Sequence, residues 1–146
     1  VNALVMEDEL MMISNTSKVL IIDDFETVRV IERKELTDLG FTKIEESADG
    51  EDAKKKLINA VETHEPFDLI LCDWNMPHFN GMQLLEFCRD TQELKNTPFI
   101  MVTAEGNRNV VVQALTAGAD DYIVKPFTKD LFLNKILKIN QREQAE

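Results

Sequence analysis

Apolar and polar positions along this chain follow two alternating periods. Four short runs, Val19-Ile22, Leu69-Cys72, Phe99-Val102 and Tyr122-Val124, are rich in β-branched residues and continuously apolar, which predicts strands covered on both faces. A fifth segment, Thr42 to Ser47, is more polar and suits a strand at a sheet edge. Between the strands, apolar residues recur at helical spacing. Val28, Ile31, Leu36 and Leu39 mark a first helix closed by Gly40; Ala53, Leu57 and Val61 mark a second that starts near Asp49-Gly50. Leu84, Leu85 and Cys88 mark the third, Val110, Val111, Ala114 and Leu115 the fourth, stopped by Gly118, and Leu133, Ile136 and Leu137 the last. Five strands alternating with five helices imply βαβ units: an α/β fold with a doubly wound, five-stranded parallel sheet.

The first 17 residues show no sustained period. They are expected to form an extension outside the core, with one weak helical turn, and a chain beginning at Val suggests a processed, alternative or artificial start. The folded domain is expected over residues 18–140, followed by a short tail, 141–146. The chain length of 146 residues suits one domain. A net charge of -11 argues against nucleic-acid binding, which needs a basic face. No apolar run reaches the length of a membrane span and no signal peptide is visible, so a cytoplasmic protein is expected. Cys72 and Cys88 lie in apolar segments without metal-ligand spacing and read as reduced core residues. His64 and His78 stand alone and suit surface or loop positions.

The chemistry collects where the strands end. In a parallel sheet the carboxyl ends of the strands share one rim, and ligands bind there. Asp23-Asp24 follows the first apolar run, Asp73 the second, Thr103 the third and Lys125-Pro126 the fourth. Each alone reads as a turn residue or a helix cap; four strands ending this way together point to a site. Clustered carboxylates repel unless a cation sits among them, and hard oxygen ligands on an open rim suit Mg²⁺. A hydroxyl and an ammonium beside them suit phosphoryl oxygens. Spacing and composition therefore point to phosphoryl transfer onto an aspartate, without saying which one.

Asp23-Asp24, Asp73-Trp74-Asn75-Met76-Pro77, Thr103-Ala104-Glu105 and Tyr122-Ile123-Val124-Lys125-Pro126-Phe127 resemble the motifs of a response-regulator receiver domain, over about residues 18 to 140. Within that family the resemblance is strongest to the stand-alone chemotaxis regulators. It implies a flavodoxin-like strand order 2-1-3-4-5, which is a known example of this fold and no independent prediction from periodicity. It implies Asp73 as the phosphoacceptor, taking its phosphoryl group from a sensor histidine kinase. Mg²⁺, with Mn²⁺ able to substitute, would be ligated by Asp24, Asp73 and the backbone carbonyl of Asn75, with Asp23 acting mainly through water. Lys125 would pair with the phosphoryl oxygens, Thr103 would hydrogen-bond one of them, and Tyr122 would be the aromatic switch. Asn75 and Glu105 would set the lifetime of the phosphoryl group. A cis Lys125-Pro126 peptide is implied too, a form open cheaply to X-Pro bonds.

The partners implied are a chemotaxis-type histidine kinase, an output protein such as the flagellar motor switch, and a phosphatase, with the protein a monomer. The chain ends soon after the last helix, which is expected to leave no room for an output domain. Three features depart from the pattern: Phe25 after the acidic pair, a longer His64-Glu65-Pro66 connection, and a Gly106-Asn107-Arg108-Asn109 stretch whose only cation is Arg108. The alternatives are a receiver of a transcriptional or other pathway, and an aspartate-nucleophile phosphohydrolase. The latter needs a second acid two residues after the nucleophile, where this chain has Asn75. No Gly-rich loop follows the first strand, which counts against a nucleotide binder.

Overall fold

In a computed structural model of the protein, residues 13–104 and 106–145 are described. The strands are β1 (Lys18–Ile22), β2 (Lys43–Ser47), β3 (Leu69–Asp73), β4 (Phe99–Thr103) and β5 (Asp121–Val124). They alternate with helices α1 (Glu26–Asp38), α2 (Gly50–Glu62), α3 (Gly81–Asp90), α4 (Arg108–Thr116) and α5 (Lys129–Ala145). All four strand pairs are parallel, in the order β2-β1-β3-β4-β5, so the polar strand β2 takes an edge as its composition requires.

The sheet divides the interior into two cores. Leu20, Ile22, Ile70, Cys72, Phe99 and Met101 face the side covered by α2, α3 and α4. Val19, Ile21, Leu69, Leu71, Ile100 and Val102 face the side covered by α1 and α5, where Phe132 packs edge-on against Phe41. Period-two alternation assigns these faces, and apolar cover on both explains the continuous apolar runs.

Three expectations change. On α1 the buried positions are Glu32 and Leu36, whereas Ile31 is 50% exposed. The helix is thus rotated so that an acid, and not the isoleucine beside it, faces inward. On α4, Ala114 is buried but Leu115 is exposed. Residues 13–17 are packed and do not lie outside the core: Ile13 is fully buried with α5, and the side chain of Asn140 brackets its backbone. Asn140 Oδ1 accepts from Ile13 N–H at 3.0 Å and Asn140 Nδ2 donates to Ile13 O at 2.9 Å. Residues 1–12 of the expected extension lie outside the described residues.

Candidate phosphoacceptor and metal site

The rim at the carboxyl ends of the strands is set by the register. Cys72 pairs with Ile22 and Met101, and Asp73 pairs with Val102, so Asp23, Asp73 and Thr103 come out at neighbouring levels on three adjacent strands. Helix α3 closes on this edge. A Cβ at Gly81 would lie 2.3 Å from the carbonyl oxygen of Asp73, so only glycine permits that approach. Gly81 N–H donates to Trp74 O at 3.1 Å, and an Asn80–Gln83 capping box fixes the start of the helix. The phosphoacceptor candidate is thus held by a buried strand and by the helix that follows it.

Asp23 is completely buried, and both its carboxylate oxygens are engaged. Oδ1 accepts from Phe25 N–H at 2.9 Å and Oδ2 from Lys125 Nζ at 2.9 Å. Lys125 Nζ also lies 3.4 Å from Asp73 Oδ1. Burial opposes the charge on Lys125, but the hydrogen bond to Asp23 and the field of Asp73 outweigh it and raise the pKa. Asp73 is 5% exposed, and burial together with the neighbouring Asp23 pushes its pKa up to about 6 against the pull of Lys125. The Lys125-Pro126 peptide is cis.

Asp23, Asp24 and Asp73 each offer an oxygen within 4.8 Å of the others. Asp24 Oδ1 is buried and has no hydrogen-bond partner among the described residues. A buried carboxylate oxygen without a donor is costly, and a cation between the acids would satisfy it and relieve their repulsion. The all-oxygen donor set beside open solvent fits a hard divalent ion such as Mg²⁺.

The other expected residues fall around this centre. Thr103 is buried at the end of β4, its carbonyl accepting from Lys125 N–H at 2.8 Å. Tyr122 is half-buried on β5 against the core of the α2–α3–α4 side. Asn75 is exposed in the loop after Asp73. Glu105 lies outside the described residues. His64 and His78 are exposed, and Cys72 and Cys88 are buried free thiols whose pKa values burial raises.

Sequence reasoning missed Glu32. Its side chain is 1% exposed, Oε2 has no hydrogen-bond partner among the described residues, and burial with the nearby Asp23 lifts its pKa to about 8. The signal was its place four residues before Leu36 on one helix face.

Residues 19–137 match the model of the response regulator receiver domain, and the chain belongs to that family. It is 43% identical over 125 residues to the chemotaxis protein CheY of Pseudomonas aeruginosa, covering 86% of this chain and 97% of that one. It is 41% identical over 130 residues to CheY-3 of Vibrio cholerae, covering 89% and 96%. Among solved structures, CheY of Borrelia burgdorferi in complex with CheX, BeF3 and magnesium aligns with a TM-score of 0.74 at 29% identity, covering 84% and 88%. The chain is therefore a receiver domain of two-component signalling, similar to chemotaxis regulators, and a signalling domain rather than a conventional enzyme. No helix among the described residues is long and apolar enough to cross a membrane.

Proposed function

We propose that this chain is a single-domain response regulator of chemotactic signalling, a cytoplasmic monomer that accepts a phosphoryl group from a sensor histidine kinase on Asp73. The observation that carries the reading is the Asp73 carboxylate on its rigid strand end, 3.4 Å from Lys125 Nζ and beside the unpartnered oxygen of Asp24. An Asp73 oxygen attacks the phosphorus of the phosphohistidine in line. The P–N bond breaks, its electron pair leaves with the imidazole, and the product is an acyl phosphate on Asp73. Asp24, Asp73 and the Asn75 carbonyl would hold Mg²⁺, with Asp23 acting through water, and the bound ion would neutralise charge on the phosphoryl oxygens. Lys125 then pairs with one phosphoryl oxygen and the Thr103 hydroxyl donates to another. Asn75 and Glu105 govern access of the hydrolytic water and so the lifetime of the phosphoryl group.

Phosphorylation adds about -1.5 to -2 charge at one point, which draws Thr103 inward and lets Tyr122 follow. The face formed by α4, β5 and α5 changes in turn. That face exposes Val112, Leu115, Val124 and Leu131, an apolar surface suited to a protein target such as the flagellar motor switch. The complex of the Borrelia relative with CheX supports a further regulatory partner.

Incubation of the chain with Mg²⁺ and acetyl phosphate, followed by intact mass spectrometry, tests the assignment. The expected result is one phosphoryl adduct, absent in Asp73→Asn. Undiminished uptake by Asp73→Asn contradicts it. An adduct that decays within seconds to a few minutes agrees with chemotaxis, whereas decay over hours places the domain in a transcriptional or other pathway.

A further inference from the structure

Tyr122 is held by two residues outside the phosphoryl site. Asp121 begins β5, and its Oδ1 accepts two hydrogen bonds, from the backbone N–H of Tyr122 at 2.8 Å and from Lys135 Nζ at 3.0 Å. Lys135 reaches over from α5, and its Nζ lies 4.7 Å from the centroid of the Tyr122 ring. The side chains of Lys135 and Asp121 are 17% and 16% exposed, so this pair is far less open to water than a surface pair such as Lys34–Asp38. Solvent and salt screen it correspondingly less.

We propose that Asp121 and Lys135 are positioning residues that latch the Tyr122 ring in its resting place, an inference that rests on the switch role proposed for Tyr122. A lysine stem is flexible, and an ammonium over a ring stays there only when something fixes it. Asp121 does so from a carboxylate that is itself tied to the strand through the Tyr122 N–H. The ammonium then attracts the face of the ring. The ring cannot turn without giving up that contact, while the Asp121–Lys135 pair stays in place. Lys135, Tyr122, Val124 and Leu131 also line one shallow groove on the proposed docking face. The latch therefore couples the ring position to the surface a target reads. It lies away from Asp73, so its strength sets how readily the switch turns without altering the phosphoryl chemistry.

Tyr122 is the only tyrosine in the chain, so meta-fluorotyrosine labelling gives one fluorine resonance. The whole unphosphorylated chain is examined by fluorine NMR, with a soluble gadolinium chelate reporting the exposure of the ring. Lys135→Met is expected to change that exposure, and Lys135→Arg, which keeps a cation over the ring, to restore the wild-type value. Asp121→Asn, which keeps the shape and removes the charge, is expected to change it in the same direction. A lost cation–π contact also predicts that half-saturation by acetyl phosphate falls about three-fold in Lys135→Met. Unchanged ring exposure in both Lys135→Met and Asp121→Asn overturns the latch. A changed exposure in those variants, in a protein that takes up no phosphoryl group at all, upholds the latch and overturns the phosphoacceptor reading instead.

Discussion

The carboxyl of Glu32 sits on the buried side of α1, and its pKa is lifted from 4.5 to about 8 by burial first and by Asp23 next. The consequence for stability has a definite sign. Below the unfolded value of 4.5 the group is neutral in both states. Between 4.5 and about 8 the unfolded chain ionises while the folded protein keeps its proton, so stability falls as pH rises, and the penalty from this group reaches its full size above about 8. The shift corresponds to a loss on the order of 3 to 5 kcal/mol. Glu32→Leu is therefore expected to be more stable than the wild type at pH near 9, with the difference shrinking toward pH near 5, as read from urea midpoints at each pH. A difference that does not depend on pH contradicts the burial of an ionisable group there. Asp24 carries the second expectation at this scale. Its buried Oδ1 has no partner among the described residues, so Asp24→Ala removes a proposed Mg²⁺ ligand and no described hydrogen bond of that oxygen. Mg²⁺ affinity should fall by at least about 10- to 100-fold, the loss already seen when a mere supporting residue of a metal site is removed, with little change in melting temperature. Calorimetric titration with Mg²⁺ measures it. The acidic residues Asp23, Asp24 and Asp73 could be picked out in the sequence because each follows an apolar strand. The orphaned oxygen and the buried Glu32 could not, because both depend on how side chains meet across elements.

The elements were legible where burial is uniform. β1, β3 and β4 are covered on both faces, so their apolar runs marked them within a residue, and β2 announced its edge position by its polarity. Helix α1 turns inward a face that its apolar positions do not mark, because Ile31 is apolar and Glu32 is not, yet the packing buries Glu32. Residues 13–17 differ from their local pattern for another reason: the partner of Ile13 is Asn140, 127 residues away, and no local period reveals so distant a contact. Asn140→Ala leaves the buried N–H and C=O of Ile13 without their partners and should cost about 1–3 kcal/mol, measurable by chemical denaturation. If the loss is negligible, the packed segment contributes nothing to the fold. The approach of α3 to β3 gives a sharper expectation. Gly81→Ala places a methyl group 2.3 Å from the Asp73 carbonyl, so α3 and the rim must separate. Both thermal stability and phosphoryl uptake should drop together in that variant, whereas Gly106→Ala, where the added atom meets Val124 no closer than 3.4 Å, should leave the fold intact.

At the level of the whole molecule, one sheet joins two surfaces. The rim holds the acids and Lys125, and the α4–β5–α5 face carries the exposed Val112, Leu115, Val124 and Leu131, with Thr103 and Tyr122 on the adjacent strands β4 and β5 between them. In the proposed switch, a charge change at Asp73 reaches that face through one buried threonine and one half-buried ring. Moving such an equilibrium from mostly resting to mostly active needs roughly 3 to 5 kcal/mol of differential stabilisation, within reach of a few charge-assisted hydrogen bonds. The membership of the receiver family, and with it the order of strands, could be anticipated because four separated motifs at the ends of β1, β3, β4 and β5 resemble those of the family. The proposed coupling could not, since it rests on contacts such as Lys135 over Tyr122 that only the folded chain brings together. Trp74, the only tryptophan, directly follows Asp73 and reports on this centre. Its fluorescence should be followed while Mg²⁺ and then acetyl phosphate are added to the wild type and to Asp73→Asn, and after the donor is removed. A change is expected with Mg²⁺, a second with acetyl phosphate that reverses once the donor is gone, and no second change in Asp73→Asn. An equal second change in Asp73→Asn, or no response to either addition in the wild type, would contradict it.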